Sequence, residues 1–164
     1  MSQVIVILGS TSDREVFEKS GFCSVLDEVG ITYEVSIISA HRNPDELEQY
    51  CRATDLDDTL VFVGVAGMAA ALPGAIAALV ASRPVIGVPL PSEGYPNAQD
   101  AFLAMYRMPP GKPVAVCGLA NLAPLVCQIV ALRDEEIFDS WTTYLAEHRR
   151  EPQLRILSSD LRKE

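Results

Sequence analysis

A hydroxyl-rich segment near the start of the chain has the composition of an anion site. It follows the apolar run Val4–Leu8 directly and consists of Gly9, Ser10, Thr11, Ser12 and Asp13. A glycine, three hydroxyls and a helix start offer hydrogen-bond donors and a favourable helix dipole to a phosphate. The alternative is a plain helix cap made by Ser12 or Asp13. A carboxylate beside a phosphate is unfavourable without another partner, so we expect Asp13 to bind ribose hydroxyls.

The second polar segment carries a histidine and an arginine. It follows the apolar run at 33–38 and reads Ser39, Ala40, His41 and Arg42. An imidazole gives and takes protons near neutral pH, and a guanidinium binds phosphate with two parallel hydrogen bonds. A structural role for His41 is the alternative. The other histidine, His148, falls on a predicted helix, where a packing or surface role is favoured.

Two further segments could form the walls of a ligand site. The stretch 64–74 is rich in glycine and alanine, which allow a backbone to approach a ligand closely, and Gly67 is a candidate for positive φ. Tight packing between a helix and the sheet is the alternative. Proline-rich loops at 89–95 and 108–111 would be stiff enough for a wall or a lid.

Alternating strand and helix patterns determine where these segments lie. We predict strands at 4–8, 33–38, 60–65, 84–88 and 114–117, with helices between them that include 13–29 and 73–81. This order predicts an α/β fold, a single flavodoxin-like doubly wound domain with a five-stranded parallel sheet. In such sheets ligands bind beyond the carboxyl ends of the strands, and all four segments fall there.

An extra helix is predicted at the C-terminus, over 134–157. We therefore divide the chain into a domain at 1–133 and a helical extension at 134–164. Ile137, Trp141 and Tyr144 share one face of this helix. That face predicts packing on the domain or on a neighbouring subunit.

Composition excludes several classes of function. The chain has 164 residues, a net charge of −9 and no basic stripe, so nucleic acid and anionic lipid are not expected partners. The apolar stretch at 60–82 is broken by glycines and a proline, so no membrane span is expected. The four cysteines show no CxxC spacing, which predicts free thiols in a reducing cytoplasm and no zinc site.

Taken together, the segments resemble the PurE family of aminoimidazole ribonucleotide (AIR) carboxylases and N5-carboxyaminoimidazole ribonucleotide mutases. The family's GSxSD loop is matched by Gly9, Ser10, Ser12 and Asp13, and its SAHR or SAHK loop by Ser39, Ala40, His41 and Arg42. Its AGxxxxLPG loop is matched by Ala66, Gly67, Leu72, Pro73 and Gly74, and its later MPxG element by Met108, Pro109 and Gly111. Four such matches in order, from residue 4 to about 133, make the resemblance specific.

The resemblance implies an enzyme of purine biosynthesis that moves CO2 to C4 of aminoimidazole ribonucleotide. It implies His41 as the catalytic proton shuttle and a cytoplasmic homo-oligomer, an octamer, with sites at subunit junctions. The implied partners are a phosphoribosyl aminoimidazole and CO2 or bicarbonate, with no metal and no cofactor. The implied substrate-binding residues are Gly9, Ser10, Ser12, Asp13, Ser39, Ala40, Arg42, Ala66, Gly67 and Leu72.

Two branches of the family remain open at this point. Mutases usually carry a second histidine in the third loop, where this chain has Ala71. Direct carboxylases usually read SAHK and have an RSN element, whereas this chain has Arg42 and no RSN. We favour the mutase over the direct carboxylase, and a paralogue acting on a related nucleotide is a further alternative.

Outside the family, a flavin- or nucleotide-binding module is the main rival. Tyr95 and Trp141 are the aromatic residues that could stack on a flavin. A receiver domain is disfavoured because no aspartate follows the third strand.

Overall fold

The computed structural model describes residues 2–56, 58–80 and 82–148, which form an α/β sandwich of three layers. The sheet has five parallel strands, β1 Val4–Leu8, β2 Tyr33–Ile37, β3 Val61–Ala66, β4 Val85–Pro89 and β5 Ala115–Val116. Their order, β2-β1-β3-β4-β5, is the doubly wound flavodoxin-like order that the sequence predicts. Each predicted strand is present, with ends that differ by at most one residue.

The strands at the centre of the sheet are apolar on both faces because both faces are covered. Every residue of β1 and of β3 is buried. Side chains alternate across a strand, so Val4, Val6 and Leu8 enter one hydrophobic cluster while Ile5 and Ile7 enter another. The sheet is therefore held between two cores, and its strand ends are fixed against each other.

Seven helices connect and cover the strands in the described part of the chain. They are α1 Thr11–Glu18, α2 Phe22–Val29, α3 Pro44–Thr54, α4 Ala71–Leu79, α5 Gln99–Tyr106, α6 Leu119–Ala131 and α7 Glu135–Glu147. The first core cluster contains residues of α1, α2, α6 and α7, and the second contains residues of α3, α4 and α5. None of these helices is long and apolar enough to cross a bilayer.

The predicted helix at 13–29 is wrong as a single helix. It begins earlier, at Thr11, and is interrupted between Glu18 and Phe22, where Gly21 has a φ of 75°. This left-handed conformation suits glycine and turns the chain, which allows Phe17 and Phe22 to pack with their ring centroids 5.3 Å apart. Gly30 ends α2 as predicted, with a φ of 90° and its N–H donating to the Leu26 carbonyl.

The described part of the C-terminal helix packs on the domain of its own chain. Ile137 and Trp141 are each 6% exposed and lie in the first core cluster, beside residues of α2 and α6. His148 follows α7 and stacks on Tyr144, with its Nδ1 2.9 Å from the Tyr144 carbonyl oxygen. Residues 149–157 of the predicted helix lie outside the described residues. The division of the chain at 133/134 and a contact with a neighbouring subunit stay predictions.

Candidate active site

The loop after β1 is fixed to the end of β3 and begins a helix. The N–H of Gly9 donates to the Val65 carbonyl over 2.9 Å. Ser10, rather than Ser12 or Asp13, is the N-cap of α1: its Oγ accepts a hydrogen bond from the Ser12 N–H at 3.3 Å and lies 3.0 Å from the Ser12 hydroxyl oxygen. The loop therefore caps α1 and brings two hydroxyl groups together at its N-terminus.

Asp13 lies in the first turn of α1 and is half-buried. Burial raises the pKa of its carboxyl group, and hydrogen bonds from the Ser10 backbone and the Ser12 side chain oppose that rise. The carboxylate would gain hydrogen-bond donors from a ligand that carries hydroxyl groups. Its position is therefore compatible with ribose binding.

The loop after β2 presents His41 and Arg42 to solvent. The N–H groups of Arg42 and Asn43 donate to the hydroxyl and the carbonyl of Ser39, at 3.3 and 2.9 Å, which turns the chain into α3. Within the described part of the chain, no hydrogen bond or ion pair engages the imidazole of His41 or the guanidinium of Arg42. Both groups are therefore available to a ligand.

In the loop after β3, the residues with positive φ are not the one that the sequence suggests. The prediction of a positive φ at Gly67 is wrong, because Met68 and Ala70 take that conformation, with φ of 54° and 40°. Gly67 is small for another reason: a Cβ there would lie 3.2 Å from the Leu90 carbonyl oxygen. The turns at Met68 and Ala70 cost conformational energy, which is typical of segments shaped for a ligand.

One cleft of about 900 Å³ joins these loops. It is lined by all eleven residues that the sequence analysis selects: Gly9, Ser10, Ser12, Asp13, Ser39, Ala40, His41, Arg42, Ala66, Gly67 and Leu72. Neighbouring residues of the third loop complete that wall, among them Met68 and Ala71. The expected common site for the hydroxyl cluster and the imidazole is therefore present in a single chain.

The fourth wall comes from the segment after β4. Pro91, Ser92, Glu93 and Tyr95 line the cleft, in line with the expected proline-rich wall. The second proline-rich loop does not line it: Met108 packs on α4 instead, where a Cβ at Gly74 would lie 3.0 Å from its sulfur atom.

Asp100 is a cleft residue that sequence reasoning misses. It lies in the first turn of α5 and accepts a hydrogen bond from the Ser92 hydroxyl over 2.8 Å. An acidic residue in the first turn of a helix is common, so no sequence signal distinguishes it from an ordinary helix start. Asp100 is recognised as a cleft residue only in the structure, where the start of α5 lies beside the cleft.

The cleft is poorly suited to a flavin. Among the described residues, Tyr95 is the only phenylalanine, tyrosine or tryptophan in the lining, because Trp141 lies on the buried face of α7 in the core. A sandwich of two aromatic rings around an isoalloxazine is therefore not available from the described residues.

Metal ligands cluster elsewhere in the described part of the chain. Glu28, Glu147 and His148 have ligand atoms within 4.8 Å of one another, but all three are exposed and none lines the cleft. All four cysteines are free, as expected, and burial raises the pKa of the Cys51 and Cys127 thiols to about 11. Among the residues that the structure describes, no cysteine lines the cleft.

Comparison with known proteins finds similar sequences and structures over most of the chain. The family model described as AIR carboxylase matches residues 3–151. A protein of Methanocaldococcus jannaschii named N5-carboxyaminoimidazole ribonucleotide mutase is 38% identical over 160 residues, which cover 96% of this chain and 94% of that protein. A Bacillus subtilis protein of the same name is 39% identical over 137 residues, covering 80% and 82%. The crystal structure of Treponema denticola PurE superposes with a TM-score of 0.79 at 29% identity and covers 98% of both chains.

Proposed function

The chain belongs to the AIR carboxylase family, and on that premise we propose that it converts N5-carboxyaminoimidazole ribonucleotide into 4-carboxyaminoimidazole ribonucleotide, a step of purine biosynthesis. The observation that carries the proposal is the single cleft in which His41, Arg42 and the hydroxyl-rich loop after β1 lie together. Relatives at 38% and 39% identity bear the name of this mutase.

The phosphate end of the substrate is assigned to the loops after β1 and β2. Ser10, Ser12 and Ser39 supply hydroxyl groups, and Arg42 supplies positive charge. Asp13 then accepts hydrogen bonds from ribose hydroxyls. This arrangement places a dianionic phosphate against donors and the N-terminus of α1, where negative charge is favoured.

His41 is assigned the proton transfers. The N–C bond of the carbamate breaks, its electron pair stays on the nitrogen, and that nitrogen takes a proton from the His41 imidazolium. C4 then forms a bond to the released CO2, and the neutral imidazole removes the proton from C4. The histidine ends as it began, so one imidazole that first donates and then accepts a proton is enough for both transfers.

The third loop is assigned the task of holding CO2 beside C4. It is built of small residues, and α4 begins there at Ala71 with no side-chain cap on its N–H groups. Such amides and the positive end of the helix favour a carboxylate. Retention of CO2 next to the acceptor carbon is a proximity effect that needs a site shielded from water.

The reaction is tested by supplying each substrate to the purified protein. N5-carboxyaminoimidazole ribonucleotide, and separately aminoimidazole ribonucleotide with bicarbonate, are incubated with the enzyme while 4-carboxyaminoimidazole ribonucleotide is measured. We expect faster product formation from the N5-carboxylated substrate. Binding of both nucleotides without turnover of either would overturn the proposal.

A direct carboxylase is the second candidate, and one observation favours it. Ala71 lines the cleft where the resemblance places a second histidine in mutases, so His41 is the only imidazole in the described lining. Product formed only from aminoimidazole ribonucleotide and CO2 would support this candidate. Product from neither, but from a related nucleotide, would instead indicate a paralogue with a changed substrate.

The assembly and the location of the enzyme are proposed from the same family membership. We propose a cytoplasmic homo-oligomer, an octamer. Phe102 and Tyr106 stack on the exposed side of α5, with ring centroids 5.6 Å apart, and would be covered in an assembly. Sedimentation equilibrium of the purified chain tests the octamer, and a monomer at micromolar concentration would exclude it.

A further inference from the structure

The loop between β4 and α5 holds Ser92 in a fixed position on the cleft wall. The N–H of Ser92 donates to the Tyr95 carbonyl at 3.3 Å, and the N–H of Tyr95 donates to the Ser92 carbonyl at 3.0 Å. Gly94 completes this tight turn with a φ of 84°. Hydrogen bonds to Tyr95 thus fix both the N–H and the carbonyl of Ser92, and the direction of its hydroxyl group depends on the side-chain torsion.

The hydroxyl of Ser92 is committed as a donor. Its Oγ lies 2.8 Å from Oδ2 of Asp100, and a carboxylate accepts hydrogen bonds but cannot donate them. The one proton of the serine therefore points to Asp100, and only lone pairs of Oγ remain for a ligand. At this point the cleft selects a hydrogen-bond donor and disfavours an acceptor.

Asp100 is held at a cost that packing alone does not explain. Its Oδ1 is buried and has no hydrogen-bond partner among the described residues. A buried carboxylate oxygen without a partner is unfavourable, and the N-terminal turn of α5 offsets that cost only in part. The residue therefore needs a role beyond stability, and orienting the Ser92 hydroxyl supplies one.

We propose that Ser92 Oγ accepts a hydrogen bond from an N–H group of the aminoimidazole, with Asp100 as the positioning residue that imposes this polarity. The inference rests on the proposed function, since it names the part of that substrate which Ser92 recognises. The sheet order places the end of β4 two strands from the end of β1, a distance of roughly 10 Å. The loop after β4 therefore meets the ligand at a different point from the phosphate-binding hydroxyls after β1.

Ligand binding to S92A separates this role from a general one. Kd values for aminoimidazole ribonucleotide and for ribose 5-phosphate, which lacks the amine, are measured by calorimetry. We expect S92A to raise the Kd of the nucleotide about 5–10-fold, the effect of one hydrogen bond, and to leave that of ribose 5-phosphate within about 2-fold. S140A, which removes an exposed hydroxyl from α7, is the matched control and should change neither. S92T keeps the hydroxyl and should restore nucleotide binding to within about 3-fold.

A double-mutant cycle tests the part assigned to Asp100. D100N frees the serine proton and should raise the Kd of the nucleotide in the wild-type background but not in S92A. In steady-state kinetics both single variants should raise KM and leave kcat within about 3-fold. Circular dichroism checks that each variant is folded. If S92A does not fold, the Kd values of D100N test the inference instead.

The outcomes distinguish the inference from the proposed function. Turnover of N5-carboxyaminoimidazole ribonucleotide together with an unchanged Kd in S92A, or an equal rise for both ligands, would overturn the inference alone. If the wild type binds the nucleotide no better than ribose 5-phosphate and turns over neither candidate substrate, the proposed function fails and the inference with it.

Discussion

The N–H of Ile38 donates a hydrogen bond to the carbonyl of Leu8 over 2.9 Å. This bond continues the ladder between β1 and β2 to the very ends of both strands, where Leu8 is paired with Ile37. The two loops that follow therefore leave the same edge of the sheet side by side. The hydroxyl groups after β1 and the imidazole after β2 share one cleft because the parallel pairing holds their starting points together.

The first prediction concerns the proton shuttle. Replacement of His41 by asparagine keeps a polar side chain of similar reach but removes the imidazole that is assigned both proton transfers. We expect kcat to fall about 10²–10⁴-fold, the usual contribution of general acid–base catalysis, while the Kd for aminoimidazole ribonucleotide changes less than about 3-fold. Stopped-time assays of product and calorimetry on the same preparation measure both quantities.

His148→Asn is the matched control for that substitution. His148 follows α7, stacks on Tyr144 and does not line the cleft. We expect kcat of the control to equal that of the wild type. A His41→Asn enzyme that retains more than about a tenth of wild-type kcat would show that the proton transfers are assigned to the wrong group.

The second prediction concerns the charge of Arg42. Its guanidinium has no ion pair within the described residues, so a ligand phosphate is its natural partner. Replacement by alanine should raise the Kd of ribose 5-phosphate about 10–100-fold, the range for a charged hydrogen bond, and leave the Kd of unphosphorylated ribose derivatives unchanged. Arg52→Ala removes an exposed guanidinium that pairs with Glu48 and serves as the control. Equal losses for phosphorylated and unphosphorylated ligands would contradict the assignment.

The third prediction follows from the raised pKa of Asp13. Burial raises this pKa in the folded state, so the folded protein binds the proton more tightly than the unfolded chain does. The carboxyl group therefore favours folding below its unfolded pKa, and this contribution is lost as the pH rises through the folded pKa. Asp13→Asn, which cannot ionise, should therefore be more stable than the wild type at neutral pH. The difference should shrink as the pH falls through the range in which the carboxyl group titrates.

The size of that effect is small because the side chain is only half-buried. About 1 kcal/mol corresponds to roughly 2–4 °C in Tm for a domain of this length, and solvent screening reduces the expected gain to below about 2 °C. Thermal melts of both proteins at pH 4, 5.5 and 7.5 measure it. A gap that widens toward low pH would mean that hydrogen bonding, rather than burial, dominates at Asp13.

The sheet and the site loops were predictable because they depend on local patterns. A run such as Val4–Leu8 has no polar face, so it must be covered on both sides, and the polar residues after it must lie at a strand end. The interruption before Phe22 was not predictable in the same way, because the apolar spacing of α2 continues the pattern of a longer helix. The break appears only in the structure, where Gly21 takes a positive φ directly before α2.

The missed features depend on tertiary contacts. Gly67 looks like a residue for positive φ, yet Met68 and Ala70 adopt that conformation, and Gly67 instead leaves room for the Leu90 carbonyl. Asp100 carries no motif and reaches the cleft only because the segment after β4 folds back. Such placements come from packing between elements that are distant in sequence, which composition and periodicity do not report.

The last prediction concerns how α4 is held at the cleft. Gly64 lies on β3 beneath this helix, and a Cβ there would lie 3.0 Å from Cγ and 3.1 Å from Cα of Pro73. Gly64→Ala must therefore push the N-terminal part of α4 away from the sheet, since backbone rather than a flexible side-chain end is in the way. We expect a loss of about 1–3 kcal/mol in the free energy of unfolding, typical of an overpacked core, and a lower kcat because Ala71 and Leu72 move with the helix.

Gly118→Ala is the control for this substitution. A Cβ at Gly118 meets nothing within 4 Å and φ is −77°, so the stability of this variant should stay within about 0.5 kcal/mol of the wild type. Urea denaturation of the three proteins decides the matter, and equal midpoints for Gly64→Ala and Gly118→Ala would show that α4 can shift without cost.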